Sequence, residues 1–211
     1  MQPDLATVAW YEDKVRRYGY DHRGLGYRSR SAQEKRFEAL AALGDFDGHS
    51  LLDVGCGFGD FLDFLQLRGV ETIYTGLDIC EPMVERCRER FAGHEARFDV
   101  ADVLAYEPHG QFDYVIASGI FGLDSPEVRA RIWPTLTRMF SWARVGLAVN
   151  FLSRRSPAQA DGRVYLEPTE LLAMGFELTP SARLDHTYLP NDFTLYLYNT
   201  PAWQGDKERT P

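Results

Sequence analysis

Apolar positions along the chain change spacing several times, and each change marks an element. From Ser31 the spacing is helical: Ser31-Ala-Gln-Glu34 has the form of a capping box, Phe37, Leu40 and Ala41 fall on one face, and Gly44 is placed to stop the helix. Short continuous apolar runs then alternate with helical segments. Ser50 to Val54 leads through a glycine-rich turn into a helix from Asp60 to Arg68, closed by Gly69. Ile73 to Leu77 is followed by Asp78 and a helix for which Pro82 suits the first position, with Met83, Val84, Cys87 and Phe91 on its inner side. A weaker run, Arg97 to Val100, leads into a polar crossover. Phe112 to Ser118 reads as the fourth strand, the helix from about Ser125 to Trp142 follows with a kink expected at Pro134, and Val145 to Leu152 is the fifth strand.

Continuous apolar strands that alternate with helices predict an α/β sandwich, a doubly wound and mostly parallel sheet with helices on both faces. The end of the chain breaks the alternation. After a short helix at Pro168 to Met174, Phe176 to His186 and Asp192 to Asn199 read as extended segments joined by Leu189-Pro-Asn-Asp192, which predicts a terminal antiparallel hairpin. Residues 1–30 form a leader, partly helical and then loop, in which Trp10, Tyr11, Tyr18, Tyr20, His22 and Tyr27 interleave with arginines. Residues 31–203 read as one domain without repeat or linker, with Trp203 docking on it, and 204–211 as a disordered tail.

Charge narrows the partners. With 31 acidic against 23 basic residues the formal charge is −8, so the broad positive footprint that nucleic acid requires is absent and a small-molecule substrate is favoured. The start, MQPDLATVAWYEDK, has no signal-peptide pattern and no apolar run reaches membrane-spanning length, which predicts a cytoplasmic protein without a membrane anchor. Cys56, Cys80 and Cys87 fit neither a disulfide framework nor a zinc pattern and read as buried small side chains; no metal is expected. Nothing in the pattern speaks to oligomeric state.

The chemistry concentrates after the first strand. An apolar run carrying Asp53 ends in alternating Gly55, Gly57 and Gly59, and a helix begins at Asp60. Glycines permit a tight strand-to-helix turn and a close backbone approach to a ligand, and the N–H groups of the helix start attract negative groups. Asp78, at the end of the second strand, is placed to accept hydrogen bonds from two ribose hydroxyls. A dinucleotide fold shares both features, so a nicotinamide dehydrogenase is the competing reading. Three features set it apart from this chain: Asp60 occupies the place of the third glycine of Gly-x-Gly-x-x-Gly, Asp53 can fix the N–H groups of the loop, and Asp102-Val103 offers a carboxylate plus an N–H to an adenine edge. The terminal hairpin is a fourth.

These stretches resemble the class I, Rossmann-like S-adenosylmethionine-dependent methyltransferases. LLDVGCGFGDF is similar to that family's first motif, YTGLDIC to its second, RFDVADV to its third and FDYVIASGIF to its fourth, over roughly residues 31 to 199. SRSAQEKRFEAL, IASGIF, AVNFLS and HTYLPNDFTLYLY resemble more narrowly a group of small bacterial methyltransferases. The resemblance implies a seven-stranded sheet whose last strand is antiparallel. It implies that Gly55, Cys56, Gly57 and Gly59 line the methionine end of the donor, Asp78 holds the ribose, and Ile79 packs on the adenine. Asp102 and Val103 would then contact the adenine edge, and Ser118 and Gly119 would offer backbone groups to the methionine amine. Arg36 or Arg28 could pair with the donor's carboxylate or be plain solvated surface.

Methyl transfer from a sulfonium needs alignment and exclusion of water more than acid-base work. If a base acts, His186 and His22 are the candidates because histidine titrates near neutrality. Tyr27, Phe121, Asn150 and Tyr188 are the expected acceptor wall, and Tyr11, Tyr18, Tyr20 and Tyr27 could form a lid whose ring faces attract the sulfonium. Methylation of RNA or protein, through the arginines of the leader, and a non-catalytic module that only binds the donor are the alternatives.

Overall fold

The computed structural model describes residues 5–199; the expectations for Trp203 and the 204–211 tail lie outside the described residues. Seven strands form one sheet: β1 (Ser50–Val54), β2 (Ile73–Asp78), β3 (Ala96–Val100), β4 (Phe112–Ser118), β5 (Ala143–Leu152), β6 (Ala182–Asp185) and β7 (Asp192–Tyr198). Their spatial order is β3-β2-β1-β4-β5-β7-β6. The first five run parallel, while β7 is antiparallel to both β5 and β6. The doubly wound, mostly parallel sheet with a terminal antiparallel hairpin is thus as expected.

Alternation along the central strands explains the two cores. Leu51, Ile116 and Ala148 point to one face, where α2 (Arg30–Ala41), α3 (Asp60–Gln66) and α4 (Glu81–Arg90) bury Phe37, Phe61, Phe64, Val84 and Cys87. Their neighbours Leu52, Val115 and Leu147 point to the other, where α5 (Pro126–Trp142) and α6 (Pro168–Leu178) bury Ile132, Leu136, Met139 and Leu171. A strand buried on both faces is apolar at most positions, which is why β1, β4 and β5 read as near-continuous runs despite Asp53 and Asn150. The leader forms α1 (Leu5–Tyr18) and a loop laid against this body. Among the described residues no helix is long and apolar enough to cross a membrane.

Helix α3 ends two residues before the expected Arg68 and β5 starts two before Val145, and two further boundaries differ for reasons the structure shows. The cap of α2 is Ser29, whose Oγ accepts the N–H of Ala32 at 3.1 Å, so Ser31 lies inside the helix and cannot close a box with Glu34. Helix α6 runs on through Phe176 to Leu178, and β6 starts only at Ala182. Gly175 lies inside the helix: a Cβ there would lie 2.8 Å from Leu197 Cδ2, so the glycine lets α6 press onto β7. Helix α5 passes through Pro134 as one element, the proline leaving the carbonyl of Ala130 without its helical donor.

Ser29→Ala should cost about 1 kcal/mol in urea unfolding, as the loss of a serine cap does, whereas Ser31→Ala should change stability by less than about 0.5 kcal/mol.

Candidate active site

Strand order reverses beside β1, with β2 and β3 on one side and β4 and β5 on the other. In an open parallel sheet that reversal leaves a crevice at the carboxyl ends of the strands. A cavity of about 440 Å³ lies there, walled by the glycine turn, the ends of β2 and β4, the start of β7 and the leader.

The turn is held by few bonds. The N–H groups of Gly55 and Cys56 both donate to the carbonyl of Leu77, at 2.7 and 2.9 Å, and the next N–H, of Gly57, donates to Asp78 Oδ2 at 2.9 Å. Asp78 Oδ1 accepts the N–H of Cys80 at 2.9 Å. Burial raises the pKa of Asp78, opposed by these N–H donors and that of Ile79. Gly55 has φ 75° and Gly57 φ 55°; side chains there would strike Ile120 and Leu25, which face the turn across the crevice. Gly59 is outside the cavity wall. Its missing side chain makes room for Phe91 and Cys87 of the α4 region, so its role is packing at the start of α3.

Asp53 is buried in β1 with Tyr74 donating to its Oδ2 at 2.5 Å. Desolvation raises its pKa to about 7, the Tyr74 bond pulling the other way and the charges of Asp78 and Asp60 adding to the rise. Asp102 is also buried. Its Oδ1 takes the N–H of Leu104 at 2.8 Å and an ion pair from Arg131, while Oδ2 has no hydrogen-bond partner among the described residues. The same holds for Oδ1 of Asn150, at the end of β5 beside Ser118 of β4. A buried acceptor left unpaired costs about 1–3 kcal/mol, and both residues line the cavity, so both can take a donor from a ligand.

The remaining wall joins distant parts of the chain. Tyr27 bonds Ser118 Oγ through its hydroxyl at 2.9 Å, and its ring lies under the Arg36 guanidinium at 5.2 Å. Arg36 is buried and donates twice to Asp192, at 2.8 and 2.7 Å, so it is not solvated surface. Tyr11, Ile79, Val103, Gly119 and Phe121 line the cavity as well. Besides Gly59, three expected residues do not. His22 sits 3.3 Å from Asp21 in the leader loop, and Tyr188 bonds Thr194 at 2.9 Å. His186 stacks on Phe193, because β7 intervenes between β6 and β5 and sets the end of β6 two strands out; Pro190, Asn191 and Asp192 take the wall position instead. Of the four lid tyrosines only Tyr11 and Tyr27 reach the cavity, and Tyr20 is 58% exposed. The three cysteines are free and buried.

Residues 51–141 match the family described as the methyltransferase domain. A Mycobacterium tuberculosis protein, Rv1506c, named as a methyltransferase with no acceptor given, is 34% identical over 157 residues, which cover 71% of this chain and 90% of that protein. The chain belongs to the class I S-adenosylmethionine-dependent methyltransferases. Solved structures agree on the fold of this methyltransferase. Magnesium protoporphyrin IX methyltransferase from Synechocystis PCC 6803, with bound S-adenosylmethionine, superimposes with a TM-score of 0.66 at 16% identity, over 95% of this chain and 98% of that one. The 1,6-didemethyltoxoflavin-N1-methyltransferase of Burkholderia thailandensis, with its substrate and S-adenosylhomocysteine, gives 0.65 at 17% identity over 95% and 91%.

The cofactor of this methyltransferase is S-adenosylmethionine, and the cavity suits it: a glycine turn without side chains, and a buried carboxylate oxygen, Asp102 Oδ2, wanting a donor. What the sequence did not signal are the partners Arg131 and Asp192, which lie 29 and 156 positions from the residues they pair with. Asp53 has a measurable consequence. Its folded pKa of about 7 lies above the ordinary 3.8, so between these values the folded methyltransferase keeps a proton that the unfolded chain has released. Stability therefore declines as pH rises across that window. Asp78 and Asp192 contribute with the same sign, so the share of Asp53 is a difference: Asp53→Asn should lose less stability between pH 4.5 and 7.5 than the parent in parallel urea titrations.

Proposed function

We propose that this methyltransferase moves the methyl group of S-adenosylmethionine to an N, O or S atom of a small-molecule acceptor. The observation that carries the reading is one cavity, of a size that falls within the roughly 300–1,000 Å³ of small-molecule sites, in which the glycine turn and an aromatic wall share the same space. In this reading Gly55, Cys56 and Gly57 lie along the methionine end of the donor, with Ser118 and Gly119 offering groups to its amine. Asp78 takes the ribose hydroxyls, Ile79 packs on the adenine, and Asp102 and Val103 take its edge, the orphaned Oδ2 of Asp102 accepting the exocyclic amine. Tyr27, Phe121 and Asn150 face the acceptor.

The donor supplies an electrophilic methyl on a good leaving group. The chain's own task is then to align the acceptor in line and keep water out. No base is proposed at His22 or His186, since neither faces the cavity. Ion pairs support the small-molecule reading over RNA or protein: of the six arginines that could form a basic patch, Arg16, Arg17, Arg23, Arg28, Arg30 and Arg36, three are paired, Arg16 with Asp13, Arg23 with Asp21 and buried Arg36 with Asp192.

We further propose that the leader, residues 1–30, closes over the donor. Leu25 packs against Gly57, Tyr27 bonds Ser118, and Tyr11 completes the wall.

Calorimetry should show binding of S-adenosylhomocysteine and none of NAD, and Asp78→Ala should weaken the former at least tenfold with an unchanged circular dichroism spectrum; tight NAD binding in its place would overturn the donor assignment. Removing residues 1–28, which spares the Ser29 cap, should weaken S-adenosylhomocysteine by tenfold or more while the remaining domain still melts cooperatively. Unchanged affinity and turnover would show that the leader is not a lid.

A further inference from the structure

Arg163 lies in the loop between β5 and α6, and that loop is pinned across the cavity mouth. Leu123 and Arg163 form an antiparallel bridge, and the N–H of Asp124 donates to the carbonyl of Gly162 at 3.0 Å. The guanidinium is thereby held in the cavity wall, half-buried, with its carbon 4.8 Å above the ring of Trp10 and Nη1 3.4 Å from the carbonyl of Gly122. Among the described residues no carboxylate lies within 4 Å of it. The other two arginines buried in this wall are committed, Arg36 to Asp192 and Arg131 to Asp102. The fourth arginine of the wall, Arg28, is solvent-exposed, which leaves Arg163 as a half-buried cation met, among the described residues, by an indole face and a carbonyl.

A guanidinium over an aromatic ring, with a single long bond to a carbonyl, has N–H donors to spare, and its parallel N–H pairs match a carboxylate in a two-bond fork. The wall beside it is planar and apolar: Phe121 and Phe151 stack with centroids 5.6 Å apart and an interplanar angle of 1°, next to Tyr165. Arg163 meets the wall at Gly122, Gly26 and Trp10, close in sequence to the Ile120 and Leu25 that face the Gly55–Gly57 turn, so the effect of its removal on S-adenosylhomocysteine decides between the donor's carboxylate and the acceptor's. We propose that Arg163 anchors a carboxylate of the methyl acceptor, and that the acceptor class is therefore small carboxylic acids with a flat apolar body. The inference rests on the methyl-transfer reading above and names its substrate class.

The test uses the full chain saturated with S-adenosylhomocysteine, whose binding is first established by calorimetry; absence of that binding counts against the donor assignment and this proposal falls with it. Benzoate and phenylacetate are then titrated against benzamide, phenylacetamide and phenyl phosphate by ligand-observed NMR. The carboxylates should bind at least tenfold more tightly than their amides. Arg163→Gln should abolish that preference and leave S-adenosylhomocysteine affinity within twofold, while Arg163→Lys, which keeps the charge, should retain part of it; melting curves check that both variants fold. Equal or undetectable binding of acids and amides overturns the proposal, as does a preference for phenyl phosphate. A tenfold loss of S-adenosylhomocysteine in Arg163→Gln overturns it too, since the arginine would then serve the donor.

Discussion

The N–H groups of Gly55 and Cys56 converge on one carbonyl, that of Leu77. This pair of bonds ties the turn after β1 to the end of β2, and the next residue on each side repeats the connection through Gly57 and Asp78. The chain can bend this sharply only with positive φ at Gly55 and Gly57. The same bend removes side chains from the crevice floor and sets Asp78 beside it. Everything proposed about the donor depends on this short arc, and the rest of the cavity is built by bringing other elements to face it.

Those elements bring charge with them, and the fold handles it by pairing. Arg36 meets Asp192, Arg131 meets Asp102, and Asp53 is capped by the Tyr74 hydroxyl. Removing one member of a buried ion pair leaves an uncompensated charge and costs about 3–5 kcal/mol, so these residues resist exchange even where they touch no ligand. Asp53 takes another route, its carboxyl holding a proton up to about pH 7 because desolvation outweighs the Tyr74 bond.

The central sheet was legible because its strands are buried on both faces, and Phe112–Ser118 could be read to the residue. The glycine turn was legible because its glycines and acids are adjacent in sequence. Elements whose boundaries are set by tertiary contact were not. Gly175 serves an approach to Leu197 that no local pattern reveals, and Ser31 resembled a cap while Ser29 served as one. The site followed the same division. Asp78 and Asp102 follow strands and could be placed, but His186 and Tyr188 were placed by proximity to the hairpin, and the insertion of β7 between β5 and β6 displaced them from the wall. Arg163 gave no signal because its neighbours, Trp10 and Gly122, come from remote segments.

The bond between Arg36 and Asp192 spans 156 positions. During synthesis at about 5–20 residues per second, that separation corresponds to roughly 8–30 s in which α2 exists and its acidic partner does not. The glycine turn emerges early in that interval, so the nascent chain can shape the crevice floor well before it can close the wall. A ribosome-bound chain stopped before β7 would carry Arg36 with no counter-charge to hold it over Tyr27, and α2 would have no electrostatic reason to stay docked. Completion of the last described strand is thus the event that turns a half-built crevice into an enclosed one.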